Sequence, residues 1–201
     1  DLRRLVKTGE FTIGPFVETF EKKFAAYLGV KHAIGTNTGT GALILALKAA
    51  GVKPGDEVIT VPNTFIATVG AIIMTGARPV FVDVDPERLT IDPAAVSAAI
   101  GPTTAAILPV HLYGQPADMA SLVAIAERHH LALVEDCCQA HLATCGGQPV
   151  GTFGAGGAFS FYPTKNLGGF GDGGMLTTGD EQTAERLRLL AAHGMQPRYY
   201  H

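Results

Sequence analysis

Along this chain, apolar residues recur alternately at helical spacing and in short continuous runs, a pattern that predicts helices and strands in alternation. Phe16, Phe20, Phe24, Tyr27 and Leu28 follow Gly14 and Pro15 at helical spacing and predict an amphipathic helix ending at Gly29. Further helices are predicted over 40–50, 66–75, 93–100, 119–130 and 181–192, the first two closed by Gly51 and Gly76. Strands are predicted over 32–36, 57–61, 79–85, 105–112, 131–136, 158–162 and 174–178. Runs such as AAILPV and LALVED are apolar almost throughout, as expected of strands covered on both faces. Strands separated by helices imply crossover connections, hence an α/β class with a mostly parallel sheet sandwiched by helices. No internal repeat or linker divides the chain. Ligands of such sheets sit beyond the carboxyl ends of the strands, at helix N-termini.

Composition narrows the class. The chain has 201 residues, 47% of them apolar and 16% charged, which excludes a disordered polymer and allows a core without disulfides or structural metal. A net charge of −3 leaves no electrostatic footprint for nucleic acid or an anionic membrane. The first twenty residues lack the apolar stretch of a signal peptide, and the longest apolar segment, 66–76, is too short to span a bilayer. Cys137, Cys138 and Cys145 are an odd set with two neighbours adjacent, a poor disulfide framework that suggests reduced thiols in a cytoplasm. A Cys-based metal site with His141 lacks any C-x-x-C pair, and small buried cysteines are the plainer reading, so no metal site is expected. The chain begins within a charged, helix-like stretch and stops at Arg198-Tyr199-Tyr200-His201 without a capping signal, so a fragment of a longer protein is expected.

Three segments carry candidate chemistry. Residues 35–41, GTNTGTG, lie between a strand and a helix, where backbone N–H groups and a threonine hydroxyl make an anion cradle. The segment is neither a Walker loop nor a dinucleotide fingerprint, and alone it is more often a merely structural turn. Glu135 and Asp136 end an apolar strand, where an acid either caps the following loop or meets a cation such as a protonated ring nitrogen; Gln139 follows. Ser160-Phe161-Tyr162-Pro163-Thr164-Lys165-Asn166, then GGFGDGG over 168–174, place a lysine after a strand among apolar and glycine residues. Confinement there lowers a lysine's pKa and makes its amine nucleophilic toward carbonyls; a solvated surface lysine needs no such scaffold. Cradle, acid and lysine together describe a pyridoxal phosphate site. His129 and His130 suit a helix end, while His111 and His141 lie near strand ends, either packed or facing a substrate.

With these residues in place, the chain resembles the DegT/DnrJ/EryC1/StrS sugar aminotransferases of the fold-type I, aspartate aminotransferase-like class. The resemblance runs through GEFTIGPFVETFEKKFAAYLG, GTNTGTGALILAL, PGDEVITVPNTFIATVGAI, PVHLYGQPADM, VEDCCQAH and FSFYPTKNLGGFGDGG, in order along essentially the whole chain. It implies that residues 1–201 are a large, pyridoxal phosphate-binding domain from which the family's small C-terminal domain is absent. It further implies that Lys165 is the catalytic Schiff-base lysine, that Asp136 partners the pyridinium nitrogen and that Gln139 contacts the ring hydroxyl. Phe65 is then the aromatic residue stacked on the cofactor ring, and Gly39, Thr40, Gly41 and Ser160 hold the phosphate. Cys137 and Cys138 stand where the family usually has small residues such as Ala or Ser, with no loss of chemistry expected. The implied activity is amination of C-3 of a dTDP- or UDP-linked 3-keto-6-deoxyhexose with L-glutamate as donor, by a homodimer when full length. Two alternatives stand beside it. One is a sugar 3-dehydratase relative, in which the resemblance implies histidine in place of the lysine; the other is a non-catalytic ligand-sensing regulator.

Overall fold

Short local signals set the element boundaries in the computed structural model, which describes residues 2–11, 14–192 and 194; the stretch 198–201 lies outside the described residues. Helix α1 spans Leu2–Thr8, and α2 spans Pro15–Leu28 with proline at its first position. Gly29 closes α2 at φ 71°, a left-handed conformation open to glycine at little cost, and donates its N–H to the carbonyls of Ala25 and Ala26. Then follow β1 (His32–Thr36), α3 (Gly39–Ala49), β2 (Glu57–Thr60), α4 (Ile66–Met74), β3 (Arg78–Phe81) and α5 (Pro93–Ala99). The chain continues through β4 (Thr104–Ile107), α6 (Met119–His129), β5 (Ala132–Asp136) and a small hairpin of β6 (Thr144–Cys145) and β7 (Gln148–Pro149). It closes with β8 (Gly156–Ser160), β9 (Gly174–Thr178) and α7 (Glu181–Ala191). Asp92, Asp118 and Asp180 cap α5, α6 and α7, each accepting an N–H of the first helical turn.

Seven strands form one sheet in the order β1-β9-β8-β5-β4-β2-β3. The pairs β2–β3, β2–β4, β4–β5 and β5–β8 are parallel, as the alternation of helices and strands predicts. The pairs β8–β9 and β9–β1 are antiparallel, because the glycine-rich connection between β8 and β9 holds no crossover helix and returns the chain alongside itself. The strand expected over 105–112 stops at Ile107, since Pro109 has no N–H for the ladder; Val110 regains only an isolated bridge to Asp136. The strand expected over 79–85 ends at Phe81, and the β6–β7 hairpin carries no hydrophobic pattern that could announce it.

Period-two alternation divides the core between the two faces. On β5, Leu133 packs with Ile59, Ile107, Met119 and Leu122, whereas Val134 packs with Leu43, Leu47, Ile72 and Leu176 on the other side. A third cluster joins α2 to the sheet through Phe24, Leu28, Phe159, Phe161 and Met175. Both faces of the central strands are therefore covered, and β1, β2 and β9 are each followed by a helix, α3, α4 and α7. No helix among the described residues is long and apolar enough to cross a membrane.

Candidate functional site

Because neighbours on a strand face opposite ways, the two acids ending β5 belong to different environments. Glu135 is fully buried. Its Oε1 accepts N–H groups from Phe153 at 2.8 Å and Gly154 at 3.3 Å, and its Oε2 accepts the Gly151 N–H at 2.7 Å. Oε2 also lies 3.2 Å from His111 Nε2, while His111 Nδ1 accepts the Ala117 N–H at 3.1 Å. That acceptor role puts the imidazole proton on Nε2, donated to Glu135. Glu135 thus ties the 151–154 loop to the sheet, and His111, fully buried, faces no substrate.

His111, Glu135 and Cys137 bring potential metal-ligating atoms within 4.8 Å of one another. Both imidazole nitrogens and both carboxylate oxygens are already engaged in hydrogen bonds, and the thiol is pushed well above its ordinary pKa by burial and then by the adjacent carboxylates. Every nitrogen and oxygen of this set is committed and the thiol stays protonated, so its chemistry is that of a hydrogen-bonded brace and not of a cation site.

Asp136 faces the opposite way, into a cavity of 420 Å³. Its Oδ1 accepts the Cys138 N–H at 3.1 Å and its Oδ2 accepts the Thr68 hydroxyl at 2.7 Å. Thr68 Oγ1 lies 2.7 Å from Thr64 Oγ1, and since its single proton is spent on Asp136, Thr64 is the donor in that pair. Residues 64 and 68 lie one helical turn apart at the start of α4, so this helix presents a hydroxyl relay to the acid.

The N-terminus of α3 forms the second wall. Thr38 caps the helix, its Oγ1 accepting the Gly41 N–H at 2.8 Å. The N–H groups of Gly39 and Thr40 have no acceptor among the described residues and remain available to an anion at the positive end of the helix. A Cβ at position 39 would lie 2.6 Å from Ser160 Cβ and 2.9 Å from Cys138 Sγ. Glycine there lets the helix start approach the end of β8 and the loop after β5. Ser160 is buried, lines the cavity and accepts the Tyr162 N–H at 3.3 Å, so its hydroxyl proton is free to be donated.

Lys165 follows β8 in a turn closed by its own N–H to the Tyr162 carbonyl at 2.8 Å, and lines the same cavity as Asp136. It is half-buried and brings the cavity's single amine. Phe65, the residue before α4, keeps 64% of its surface exposed and stands at the cavity with an open ring face. Gln139 also lines the cavity; the Tyr113 N–H donates to its Oε1 at 3.0 Å, which leaves the carboxamide NH2 as the free end.

The structure therefore brings Gly39, Thr40, Phe65, Asp136, Gln139, Ser160 and Lys165 to one cavity. Gly41 differs: it does not line the cavity, and its N–H is spent on the Thr38 cap. His141 also lies elsewhere, packed between Phe159 and Phe161. Sequence reasoning missed Thr38, Thr64, Thr68 and Cys138 as cavity residues; the spacing of the two threonines beside Phe65 is the one signal that could have found the relay. Cys138 brings a neutral thiol, its pKa pushed well up by burial and then by Asp136, against a smaller opposing effect of Lys165. Unused N–H groups and a hydroxyl for an anion, a buried carboxylate, an amine and an open aromatic face are the donor set that pyridoxal phosphate requires, so the residues present fit that group.

The chain is similar in sequence and in structure to known proteins. The family model described as the DegT/DnrJ/EryC1/StrS aminotransferase family matches residues 1–201. A pleiotropic regulatory protein of Geobacillus stearothermophilus is 50% identical over 200 residues, covering 100% of this chain and 54% of the relative. A dTDP-3-amino-3,4,6-trideoxy-alpha-D-glucose transaminase of Streptomyces venezuelae is also 50% identical over 200 residues, covering 100% of this chain and 53% of the relative. Among solved structures, S. venezuelae DesV in complex with a ketimine intermediate superposes with a TM-score of 0.96 at 50% identity, over 99% of this chain and 54% of that one. NtdA from Bacillus subtilis with bound cofactor PMP superposes with a TM-score of 0.88 at 40% identity, over 94% of this chain and 42% of that one. The chain spans about half the length of the curated relatives it matches.

Proposed function

The chain belongs to the DegT/DnrJ/EryC1/StrS aminotransferase family, and from that premise we propose that it is the pyridoxal phosphate-binding part of an enzyme that aminates a nucleotide-linked keto sugar. One observation carries this reading: Lys165, Asp136 and the free N–H groups of α3 meet at a single cavity. Pyridoxal phosphate supplies, when bound, an aldehyde that combines with amines and a ring that withdraws electrons from the neighbouring carbon. The residues divide the remaining work. Gly39 and Thr40 N–H with the Ser160 hydroxyl bind the phosphate, and Phe65 covers one face of the ring. Asp136 holds a proton on the ring nitrogen, and its own orientation is held by Thr68 and the Cys138 N–H. The Gln139 NH2 meets the ring hydroxyl. Lys165 Nζ would hold the cofactor at its aldehyde carbon and, as a free amine, would serve as the general base and acid that moves a proton.

The finer assignments rest on likeness. A C-3 keto sugar linked to dTDP or UDP is supported by the name of the S. venezuelae relative, with L-glutamate as the amino donor and a homodimer as the working form. Three free cysteines support a reducing, cytoplasmic setting. A second reading, a ligand-sensing regulator, is favoured by the regulatory name of the Geobacillus relative. Lysine at position 165 counts against the dehydratase alternative.

The test is to add pyridoxal phosphate, follow the visible absorption of the bound cofactor, reduce with borohydride and map the labelled peptide. Label on the peptide containing Lys165 is expected, and Lys165→Ala should abolish it; label elsewhere overturns the assignment. Bleaching of the visible band by L-glutamate supports transamination, whereas a labelled protein that glutamate leaves unchanged is the sensing protein.

A further inference from the structure

Between β4 and α6 the chain holds one residue in a conformation that its side chain disfavours. Tyr113 has φ 52° and ψ 23°, the left-handed region that bulky residues seldom occupy, and with 87% of its surface exposed little packing repays it. Gly114 is left-handed as well, at φ 88°, and the Gln115 N–H closes the turn on the Leu112 carbonyl at 2.9 Å. Turns with two left-handed central residues are ordinarily built from glycine and asparagine. The conformation gives the backbone a direction: the Tyr113 N–H is turned onto Gln139 Oε1 at 3.0 Å, and Gln139 lines the cavity. Strained backbone of this kind persists only where its surroundings hold it.

His111 supplies that hold. It is fully buried, and each of its polar groups is engaged. Its backbone N–H donates to the Asp136 carbonyl at 3.1 Å, which fastens the loop to the strand end that carries the cavity acid. Its carbonyl accepts the Gly114 N–H at 3.2 Å, its Nδ1 accepts the Ala117 N–H at 3.1 Å, and its Nε2 meets Glu135 Oε2 at 3.2 Å. The ring bond to Ala117 closes residues 111–117 into a loop, and the strained turn stands inside it. Gln139 comes from a different segment, and its Oε1 takes no other donor among the described residues. The direction of its carboxamide is therefore set by the loop.

We propose that His111 is a positioning residue for Gln139: by closing the 111–117 loop through Nδ1 it holds the Tyr113 N–H on Oε1, and so keeps the Gln139 NH2 directed into the cavity. The inference rests on the reading of Gln139 as the contact to the cofactor's ring hydroxyl, whereas the closure of the loop stands apart from any cofactor.

Two measurements on the whole wild-type chain need no variant and no cofactor. Amide hydrogen exchange should find the Tyr113 N–H protected despite the exposure of its residue, and nitrogen-15 spectra should show His111 Nδ1 accepting and Nε2 protonated. Free exchange at Tyr113, or a proton on Nδ1, overturns the proposal. Two substitutions then divide the ring's bonds. His111→Asn keeps an oxygen where Nδ1 stands and gives up Glu135; His111→Gln keeps an NH2 for Glu135 and gives up the Ala117 N–H. Protection of Tyr113 is expected to fall about tenfold in His111→Gln and to stay within about twofold in His111→Asn. With pyridoxal phosphate added, Gln139→Ala should weaken cofactor affinity about five- to tenfold, the size of one lost hydrogen bond, and move the pH midpoint of the visible band. His111→Gln should reproduce both effects and His111→Asn neither, and the double variant of His111→Gln with Gln139→Ala should lose little more than either alone. A merely structural histidine would make the two His111 variants fail alike, and that result overturns the positioning role. Gln139→Ala without effect on affinity or midpoint, beside the expected exchange pattern, overturns the cofactor contact of Gln139 and not the closure of the loop.

Discussion

Glu135 and Asp136 are the same chemistry one residue apart, yet the molecule treats them as opposites. Glu135 has every oxygen lone pair matched by loop N–H groups and by His111, and it touches no cavity. Asp136 accepts two hydrogen bonds and keeps a side toward open volume. The difference shows how a buried acid is read. A carboxylate whose donors are all protein groups is part of the frame, whereas one with spare capacity facing a cavity is reserved for something that arrives later. Charge and burial alone would rank them the other way, since Glu135 is the more deeply buried of the two.

Three substitutions bear on this contrast. Glu135→Gln turns one acceptor oxygen into an NH2 that confronts backbone N–H donors; a loss of about 3–5 kcal/mol in unfolding free energy is expected by urea denaturation, with the 151–154 loop opened to protease. Asp136→Asn should cost only about 1–2 kcal/mol, because the carboxamide oxygen can keep the Cys138 N–H while the Thr68 hydroxyl turns to accept from the new NH2. It should nonetheless remove the bleaching of the visible band by L-glutamate, since an amide does not hold a proton on the ring nitrogen. Thr68→Val, which cuts the relay but spares the acid, is expected to cost about 1 kcal/mol and to weaken cofactor binding less than Asp136→Asn does. Equal destabilisation by the two acid variants would break the contrast, and retained glutamate response in Asp136→Asn would reassign the cavity acid.

Legibility from sequence follows the range of the interaction. Asp136 and Lys165 drew notice from the chain itself because each follows an apolar strand, where ligands of such sheets lie; Ser160 and the role of Gln139 came with the family resemblance, and the four line one cavity. The split between Glu135 and Asp136 was not legible, because it depends on a loop sixteen or more residues later folding back onto Glu135. Gly41 was placed on the phosphate by the resemblance to the family's phosphate-binding turn; in the structure the Thr38 hydroxyl takes its N–H. Thr64 and Thr68 escaped notice because hydroxyl residues are commonplace in helix first turns, and only the approach of Asp136 gives them a task. The fold class was legible from alternation, while the antiparallel return of β9 depends on a segment that simply contains no helix.

The placement of β1 at the sheet edge bears on the order of events during folding. His32 pairs with Thr178 and Thr36 with Gly174, so the strand that launches the phosphate-side helix takes its place only beside one of the last elements of the described chain. A chain leaving the ribosome can assemble the parallel strands β2 to β5 early, but the loop between β1 and α3 must wait for β9. Closing that long loop carries an entropic cost before any contact repays it. The phosphate-side wall of the cavity therefore depends on a pairing between strands at opposite ends of the described chain.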